Sequence, residues 1–309
     1  MARSARAPTD RPRPRQSPLA TEVFGTGIVK SVEDFGSQAD WPSHPALLDY
    51  LAVEFAENGW DQKALIKKIV TSATYRQQAI RNAKAAEIDA DNRLLSSFPR
   101  QRLKGELIRD QALFVAGLLN DQIGGPSVKP YQPGDLWNEV AIGGTNTGRF
   151  KRDTGEALYR RSMYTFWKKT SPPAQMQIFN APTREFCVVN RDVTNTPLQV
   201  LTLWNDEQFL EAARLLAQRT LAEAESDSDR LTLIYRRCTG DTPNADEIEV
   251  LRDALTYYRE RYTASPEDAK ALLGQGEYPL PEAHDPAELA SWMMVASSVL
   301  SLDETIVRD

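Results

Sequence analysis

The 309-residue sequence has few of the residues on which metal sites, disulfides and most catalytic centres depend. It contains two cysteines, Cys187 and Cys238, and two histidines, His44 and His284. Their spacing matches no metal, redox or c-type haem motif, and no glycine-rich loop has the spacing of a phosphate cradle. The sequence therefore predicts no cofactor on this chain. We interpret the cysteines as small hydrophobic residues and the histidines as helix-entrance residues.

Long apolar runs are also absent. No segment approaches the ~18 consecutive apolar residues that a membrane span needs, so we expect no membrane span. The N-terminus is basic but lacks the apolar core of a secretory signal, which leaves the localisation unknown. Arginine and proline dominate residues 1–20 and predict a disordered leader. A net charge of −6 argues against a nucleic-acid partner.

The rest of the chain predicts a mainly α-helical, irregular multi-helix domain over residues 21–309. Pro45 and Pro197 suit first helical positions, and Asn244 and Glu247 have capping-box spacing. In the helix predicted over residues 102–120, we expect Leu107 and Phe114 to face inward. Apolar spacing and caps predict the other helices at residues 45–57, 61–70, from 196, from 205, 231–238, 244–262 and 287–302.

One segment departs from helical spacing. Aromatic residues from Tyr159 to Trp167 alternate in a pattern typical of a strand. Residues 186–190 form a second candidate strand. The two predict a small antiparallel β-ribbon in the middle of the domain.

Several sequence strings, taken together, resemble one known family. They include FGTGIVKSVEDFG, WPSHPALLDYLAVEF, GWDQKALIKKIVTSATYRQ, GGPSVKPYQP, LYRRSMYTFWKKTSPP and FNAPTREFCVVNRDVTNTPLQVLTLWND. They occur in order and resemble the domain of unknown function 1553, from about Val23 to the C-terminus. This domain closes large exported proteins of planctomycetes and related bacteria, where it commonly follows a c-type cytochrome module.

The resemblance implies a mostly helical, exported domain without an assigned reaction, associated with the cell envelope. It implies other domains of the same system, or complex carbohydrate, as partners; the oligomeric state is left open. Two departures from the family pattern are PRPRQSPLATEV before the first string and Lys104-Gly105 in place of an acidic helix-opening residue. Upstream family domains are missing from this sequence, so we expect a fragment of a longer protein.

Glu106 and Asp110 are the catalytic candidates, because they lie four residues apart on one face of a predicted helix, with Arg109 beside them. A carboxylate pair of this kind can perform acid–base hydrolysis, which predicts a carbohydrate-active hydrolase. The alternative is a structural ion pair in which Arg109 neutralises both acids.

The most unusual stretch is residues 158–208, here called the Arg/aromatic segment, which combines basic and aromatic side chains with turn residues. Arginine beside aromatic rings suits sugars, carboxylated or sulfated glycans, and protein partners. The alternative is internal packing, with the arginines in ion pairs. A third hypothesis, docking to a c-type cytochrome module, follows from the family resemblance alone. The candidate binding residues are Arg160, Arg161, Tyr164, Trp167, Arg184, Arg191, Asn195, Asn205 and Asp206.

Overall fold

The computed structural model describes residues 21–34, 38–134, 136–139, 148–280 and 284–308. The leader expected at residues 1–20 lies outside these residues. The chain divides into two compact units. Unit 1 comprises the described residues up to 101 together with 187–190 and 308, and unit 2 comprises those of 102–186 and 191–307. One domain over residues 21–309 stays a prediction.

The helices of unit 1 include α1 (Pro45–Glu57), α2 (Gln62–Val70) and α3 (Ala83–Ile88). The Asp61 side chain accepts a hydrogen bond from the Ala64 amide at 3.0 Å, which caps α2 as its sequence predicts. Leu51, Phe55 and Leu65 form one small apolar cluster, and Phe24 and Phe98 form another.

Unit 2 contains the larger share of helix. Its helices are α4 (Gly105–Ala116), α5 (Leu136–Glu139), α6 (Ala174–Ile178), α7 (Pro197–Asn205), α8 (Glu207–Glu223), α9 (Asp227–Thr239), α10 (Ala245–Ala264), α11 (Pro266–Leu273), α12 (Pro286–Leu300) and α13 (Asp303–Ile306). Capping boxes open α7 and α10, as predicted from Gln199 and Glu247. In α10 the Asn244 side chain accepts from the Glu247 amide at 2.9 Å.

Helix α12 lies at the centre of unit 2. It packs against α8, α10 and α11, and most of its residues are buried. Trp292, Met293 and Val295 are fully enclosed and face different sides of the helix. Each large apolar side chain buried in this way contributes ~1.5–3 kcal/mol of transfer free energy. This explains why α12 is apolar around its whole circumference and not along one stripe only.

Helix α4 buries a different face from the one that its leucine and phenylalanine spacing predicts. Leu107 and Phe114 are exposed, whereas Ile108, Ala112 and Leu113 are buried. Arg109 is buried on the same side as these apolar residues. The inward-facing prediction for Leu107 and Phe114 is therefore wrong, because the helix is oriented to bring a cation inward.

The mainly α-helical fold with one small antiparallel sheet is confirmed. The sheet, however, pairs β1 (Gln101–Arg102) with β2 (Val307–Arg308). The stretch expected to form a strand instead contains two 3₁₀ helices, Gly155–Tyr159 and Ser162–Tyr164. Isolated bridges join Asn120 to Arg160 and Val128 to Thr165. In the described part of the chain, no helix has both the length and the apolar character that crossing a membrane requires.

Candidate functional site

Arg109 organises the N-terminal part of the Arg/aromatic segment from the core of unit 2. Its side chain is 1% exposed. The guanidinium donates to the backbone oxygens of Leu158 at 2.8 Å and Arg160 at 2.9 Å, and to Ser162 Oγ at 3.1 Å. Its Nε atom donates to the Gln208 side chain. These four acceptors engage all three nitrogens of the guanidinium and fix the path of residues 158–162.

The electrostatics around Arg109 are those of a buried structural cation. Burial lowers the pKa of Arg109 to about 10, although the carboxylates of Asp110 and Asp206 oppose this shift. The nearest carboxylate oxygen, Asp110 Oδ1, lies 3.6 Å from Nη1. The charge is therefore balanced mainly by carbonyl dipoles and neighbouring acids inside the core. Arg109 is thus held as a structural cation, but the structural alternative is met only in part, because its carboxylate partner is Asp110 whereas Glu106 pairs with Arg191. The role of Arg109 as a catalytic assistant stays a prediction.

The two candidate carboxylates have separate partners. Asp110 accepts a 2.7 Å hydrogen bond from the Ser162 amide. Both oxygens of Glu106 accept from Arg191 Nη1, at 2.8 and 3.0 Å. The acids therefore hold different parts of the Arg/aromatic segment, and each is already engaged by a donor.

Asp206 and Asn205 lie at the junction of α7 and α8. The Asp206 side chain caps α8 by accepting from the Gln208 amide at 3.0 Å. Asn205 donates to the Leu201 carbonyl at 2.8 Å. Burial raises the pKa of Asp206 to about 6, although its amide hydrogen bonds and Arg109 favour the charged form. This carboxylate begins the helix that carries Gln208 to Arg109.

Arg160 and Tyr164 hold the glycine-rich loop around residue 125. The buried Arg160 guanidinium donates to the carbonyls of Pro126 and Gln122, both at 3.0 Å, and to that of Gly124. It also lies 3.9 Å from the centre of the Tyr164 ring, whose hydroxyl accepts from the Gly124 amide. Both residues are therefore occupied by internal contacts, but the acceptors of Arg160 are backbone carbonyls and not the carboxylates of the expected ion pairs.

The remaining candidate residues lie at the surface of unit 2. Arg161 is exposed, and its guanidinium has no hydrogen-bond or ion-pair partner among the described residues. Trp167 is half-buried, with its indole N–H donating to the Thr183 carbonyl at 3.1 Å. The Arg184 guanidinium lies 4.4 Å from the Trp167 ring centre, and Asn195 is exposed. These four residues are here called the exposed edge; Asn205 at the α7–α8 junction is exposed as well.

A second buried cluster was not predicted from the sequence. Glu211 on α8 is fully buried and accepts from the hydroxyls of Tyr131 at 3.2 Å and Tyr159 at 3.1 Å. It also accepts from the Tyr278 amide at 2.6 Å. Burial and the charge of Glu211 raise the pKa of both tyrosines, so they remain protonated donors. This acidic residue is spaced like an inward position of α8, which is the only sequence signal that could have identified it.

Close packing accompanies the Glu211 cluster. Arg214 is buried one turn further along α8 and donates to the Tyr278 carbonyl at 2.7 Å. Gly276 has a φ of +88°, and a Cβ atom there would lie 2.4 Å from Glu211 Oε1. Only glycine satisfies both constraints without displacing the carboxylate. The cluster therefore fixes the backbone at Gly276 and Tyr278, and the Glu211 carboxylate and the hydroxyls of Tyr131 and Tyr159 are engaged internally.

The described residues contain no group of three or more His, Cys, Asp or Glu side chains that could hold a metal ion. Cys238 is buried among apolar residues, which raises the pKa of its thiol to about 12, whereas Cys187 is exposed. A small hydrophobic role fits Cys238 but not the exposed Cys187.

The model of the family described as "Protein of unknown function (DUF1553)" matches residues 20–255. No curated protein and no solved structure matches the chain. The family match covers most of unit 1 and unit 2 up to the middle of α10, including every candidate site residue predicted from the sequence but not Gly276 and Tyr278. The chain therefore belongs to the family of proteins of unknown function DUF1553.

Proposed function

We propose that this chain is a non-catalytic binding domain whose exposed edge contacts an acidic carbohydrate. The observation that carries this proposal is that the arginines of the Arg/aromatic segment fall into two groups, one bonded inside the protein and one exposed. Arg160 and Arg191 bind internal carbonyl or carboxylate oxygens, whereas Arg161 leaves its guanidinium in solvent. The segment thus has a rigid internal part that positions a small set of surface groups.

The chemistry of the exposed edge supports a sugar ligand. Trp167 has one ring contact with Arg184, and its half-buried ring retains exposed surface for a second contact. Stacking on an indole ring is a common way to bind a flat, partly apolar sugar ring, and arginine pairs well with carboxylate or sulfate groups. All charged residues between positions 160 and 170 are basic. Acidic glycans are therefore favoured over neutral ones.

The state of the carboxylates supports binding without catalysis. Retaining and inverting glycosidases need one carboxyl group as the acid and a second as the nucleophile or base. Here Glu106 accepts a hydrogen bond from Arg191, and Asp110 accepts one from the Ser162 amide. Neither carboxylate can therefore act on a substrate without breaking a structural contact. The proposal requires no cofactor on this chain.

The test is a binding screen of the full chain against carboxylated, sulfated and neutral oligosaccharides. We expect the wild type to bind acidic glycans and Trp167→Ala or Arg161→Ala to lower the affinity about tenfold, since each removes one stacking or charged contact. Arg252→Ala, which changes an exposed arginine on α10, is the matched control and should leave binding unchanged. Absence of acidic-glycan binding, or equal affinity of all three variants, would overturn the proposal.

A second arm separates binding from hydrolysis. The bound oligosaccharide is incubated with wild type and with Glu106→Gln, and released reducing ends are measured. We expect no release by either protein. Release by the wild type that is lost in a Glu106→Gln protein with an unchanged melting temperature would contradict the non-catalytic assignment.

A further inference from the structure

Unit 1 contains a cavity that the Arg/aromatic segment does not share. Its volume is about 310 Å³, and every residue that lines it belongs to unit 1. The inner wall is apolar and comes from the segment before α1, from α1, from α2 and from the segment after α3. The side chains that form it include Phe24, Ile28, Leu51, Leu65, Ile69 and Leu95.

The size of this cavity is that of a ligand site and not of a packing defect. Protein interiors rarely hold voids larger than a water molecule, and an apolar cavity of ~150 Å³ already binds benzene. Small-molecule sites begin at ~300 Å³ and are mostly apolar with a few polar groups. The cavity of unit 1 satisfies both criteria.

The cavity opens to solvent through an apolar rim. Leu47, Tyr50 and Leu94 line the cavity and are also 46%, 54% and 56% exposed. Large apolar side chains left in water next to an apolar cavity forgo burial that a ligand would supply. The rim therefore provides both an entrance and additional contact area for an apolar ligand.

The charged groups of the cavity are cationic. Lys68 and Arg93 line it together with His44, and no aspartate or glutamate is among the lining residues. The Lys68 ammonium donates to Tyr50 Oη at 2.9 Å and to Glu54, which places the cation beside the rim. The Arg93 guanidinium has one hydrogen bond among the described residues, a 3.4 Å contact to the Trp41 carbonyl.

The neighbouring carboxylates are already engaged. Glu54 accepts from Lys68, and Asp89 accepts from the backbone amides of Arg93 at 2.9 Å and Leu94 at 2.7 Å. Lys68 carries three N–H donors and Arg93 five, so both retain donors for a further acceptor. An anionic group at the rim would be satisfied by these donors while an apolar body fills the inner wall.

We propose that the cavity of unit 1 binds a small organic acid, with an aliphatic or aromatic body in the apolar interior and its carboxylate at Lys68 and Arg93. The proposal is independent of the glycan site, because the two sets of residues belong to different units. Its ligand class follows from the volume, the apolar wall and the cationic rim taken together.

The experiment is isothermal titration calorimetry of the full chain with octanoate, 1-octanol and octylamine, which share one alkyl body and differ in the charge of the head group. We expect one octanoate per chain and an affinity at least tenfold higher than for octylamine, with 1-octanol in between. Absence of saturable binding by octanoate, or tighter binding of octylamine, would overturn the proposal.

Variants locate the binding. Lys68→Gln and Arg93→Gln should each weaken octanoate about tenfold and leave 1-octanol unchanged, because each removes one charged donor. Lys67→Gln, on the same helix but outside the lining, is the matched control. Equal octanoate affinity in all three variants would contradict the assigned head-group site.

A bulky residue at the rim tests the cavity itself. Leu47→Trp should abolish binding of both octanoate and 1-octanol by filling the entrance, and Leu94→Trp provides a second variant if the first unfolds. Both positions are about half exposed, so the larger side chain can extend into solvent. Undiminished octanoate binding in a folded rim variant would overturn the proposal.

Discussion

The two units differ in what they bury. The buried charged residues Arg109, Arg160, Glu211 and Arg214 all lie in unit 2, whereas the buried polar residue of unit 1 among the described residues is Ser97. Among the described residues, unit 2 has one large apolar cluster, whereas unit 1 has two small clusters and an open apolar cavity.

This difference has a physical consequence for each unit. A buried charge is costly unless specific partners satisfy it, so the Arg109 and Glu211 clusters stabilise one arrangement of the surrounding loops and penalise others. An apolar cavity has no such directional demand and accepts any body of suitable size. We therefore expect unit 2 to be rigid and intolerant of substitution, and unit 1 to be stabilised by ligands.

The largest expected effect is the loss of the Arg109 cation. Arg109→Met should lower the free energy of unfolding by about 3–5 kcal/mol, because the carbonyls of Leu158 and Arg160 and the Gln208 side chain lose their donor inside the core. Urea denaturation followed by circular dichroism measures this change. Arg252→Met, at an exposed position, should change stability by no more than about 0.5 kcal/mol. If Arg109→Met lowered the free energy of unfolding by less than about 1 kcal/mol, the buried charges of unit 2 would not make it less tolerant of substitution than unit 1.

A pair of leucine truncations compares the two cores directly. Leu113 is fully buried in the large cluster of unit 2, whereas Leu51 lines the cavity of unit 1. Leu113→Ala should cost about 3–5 kcal/mol and Leu51→Ala about 2 kcal/mol, because a side chain beside a void has fewer contacts to lose. The same denaturation experiment checks this order. Equal losses would mean that unit 1 is packed as densely as unit 2.

The close packing at Gly276 allows a glycine test. Gly276→Ala should destabilise the protein by about 2–3 kcal/mol, since it adds a Cβ in the left-handed region against Glu211. Gly274→Ala is the matched control: its φ is −73° and the nearest atoms to an added Cβ lie 3.5 Å away. Thermal denaturation distinguishes the two variants. A Gly276→Ala protein as stable as Gly274→Ala would show that the Glu211 cluster is not closely packed.

The smallest expected effect is the pH dependence from Asp206. Its pKa is raised from 3.8 to about 6 in the folded protein, so the native state binds this proton more tightly than the unfolded chain does. The contribution of protonated Asp206 to the free energy of unfolding is therefore fully present below about pH 4 and is lost as the pH rises through 6.

Asp206→Asn removes that titration and keeps a side chain that can cap α8. Relative to wild type, the variant should gain about 2 kcal/mol between pH 4 and pH 7, measured by urea denaturation across this range. A difference between the two proteins that stays constant with pH, or that changes in the opposite direction, would show that Asp206 is not shifted as described.

Most helices could be predicted because their signals are local. Asp61, Asn244 and the proline at position 45 mark helix starts through contacts within one turn, and the structure confirms them. Helix α12 also follows from its run of apolar residues. The mainly α-helical class and the family therefore followed from the sequence alone.

The path of residues 158–167 could not be predicted because distant residues determine it. Alternation of aromatic and basic residues suits a strand, but Arg109 and Asp110 hold the backbone of this stretch from about 50 positions away. Tyr159 points to Glu211, a contact between side chains 52 positions apart. No local pattern encodes such contacts, so the strand predicted over residues 159–167 is not found there. The burial of Glu211 could be inferred from its spacing on α8, but its tyrosine partners could not.

The most direct test of the contrast between the units is native-state amide hydrogen exchange, measured with and without octanoate. We predict that amides of α8 and α12 exchange slowly and at the same rate in both samples, whereas those of α1 and α2 exchange faster and become protected when octanoate is added. Equal protection of both units without ligand, or slowing by octanoate confined to unit 2, would contradict the account.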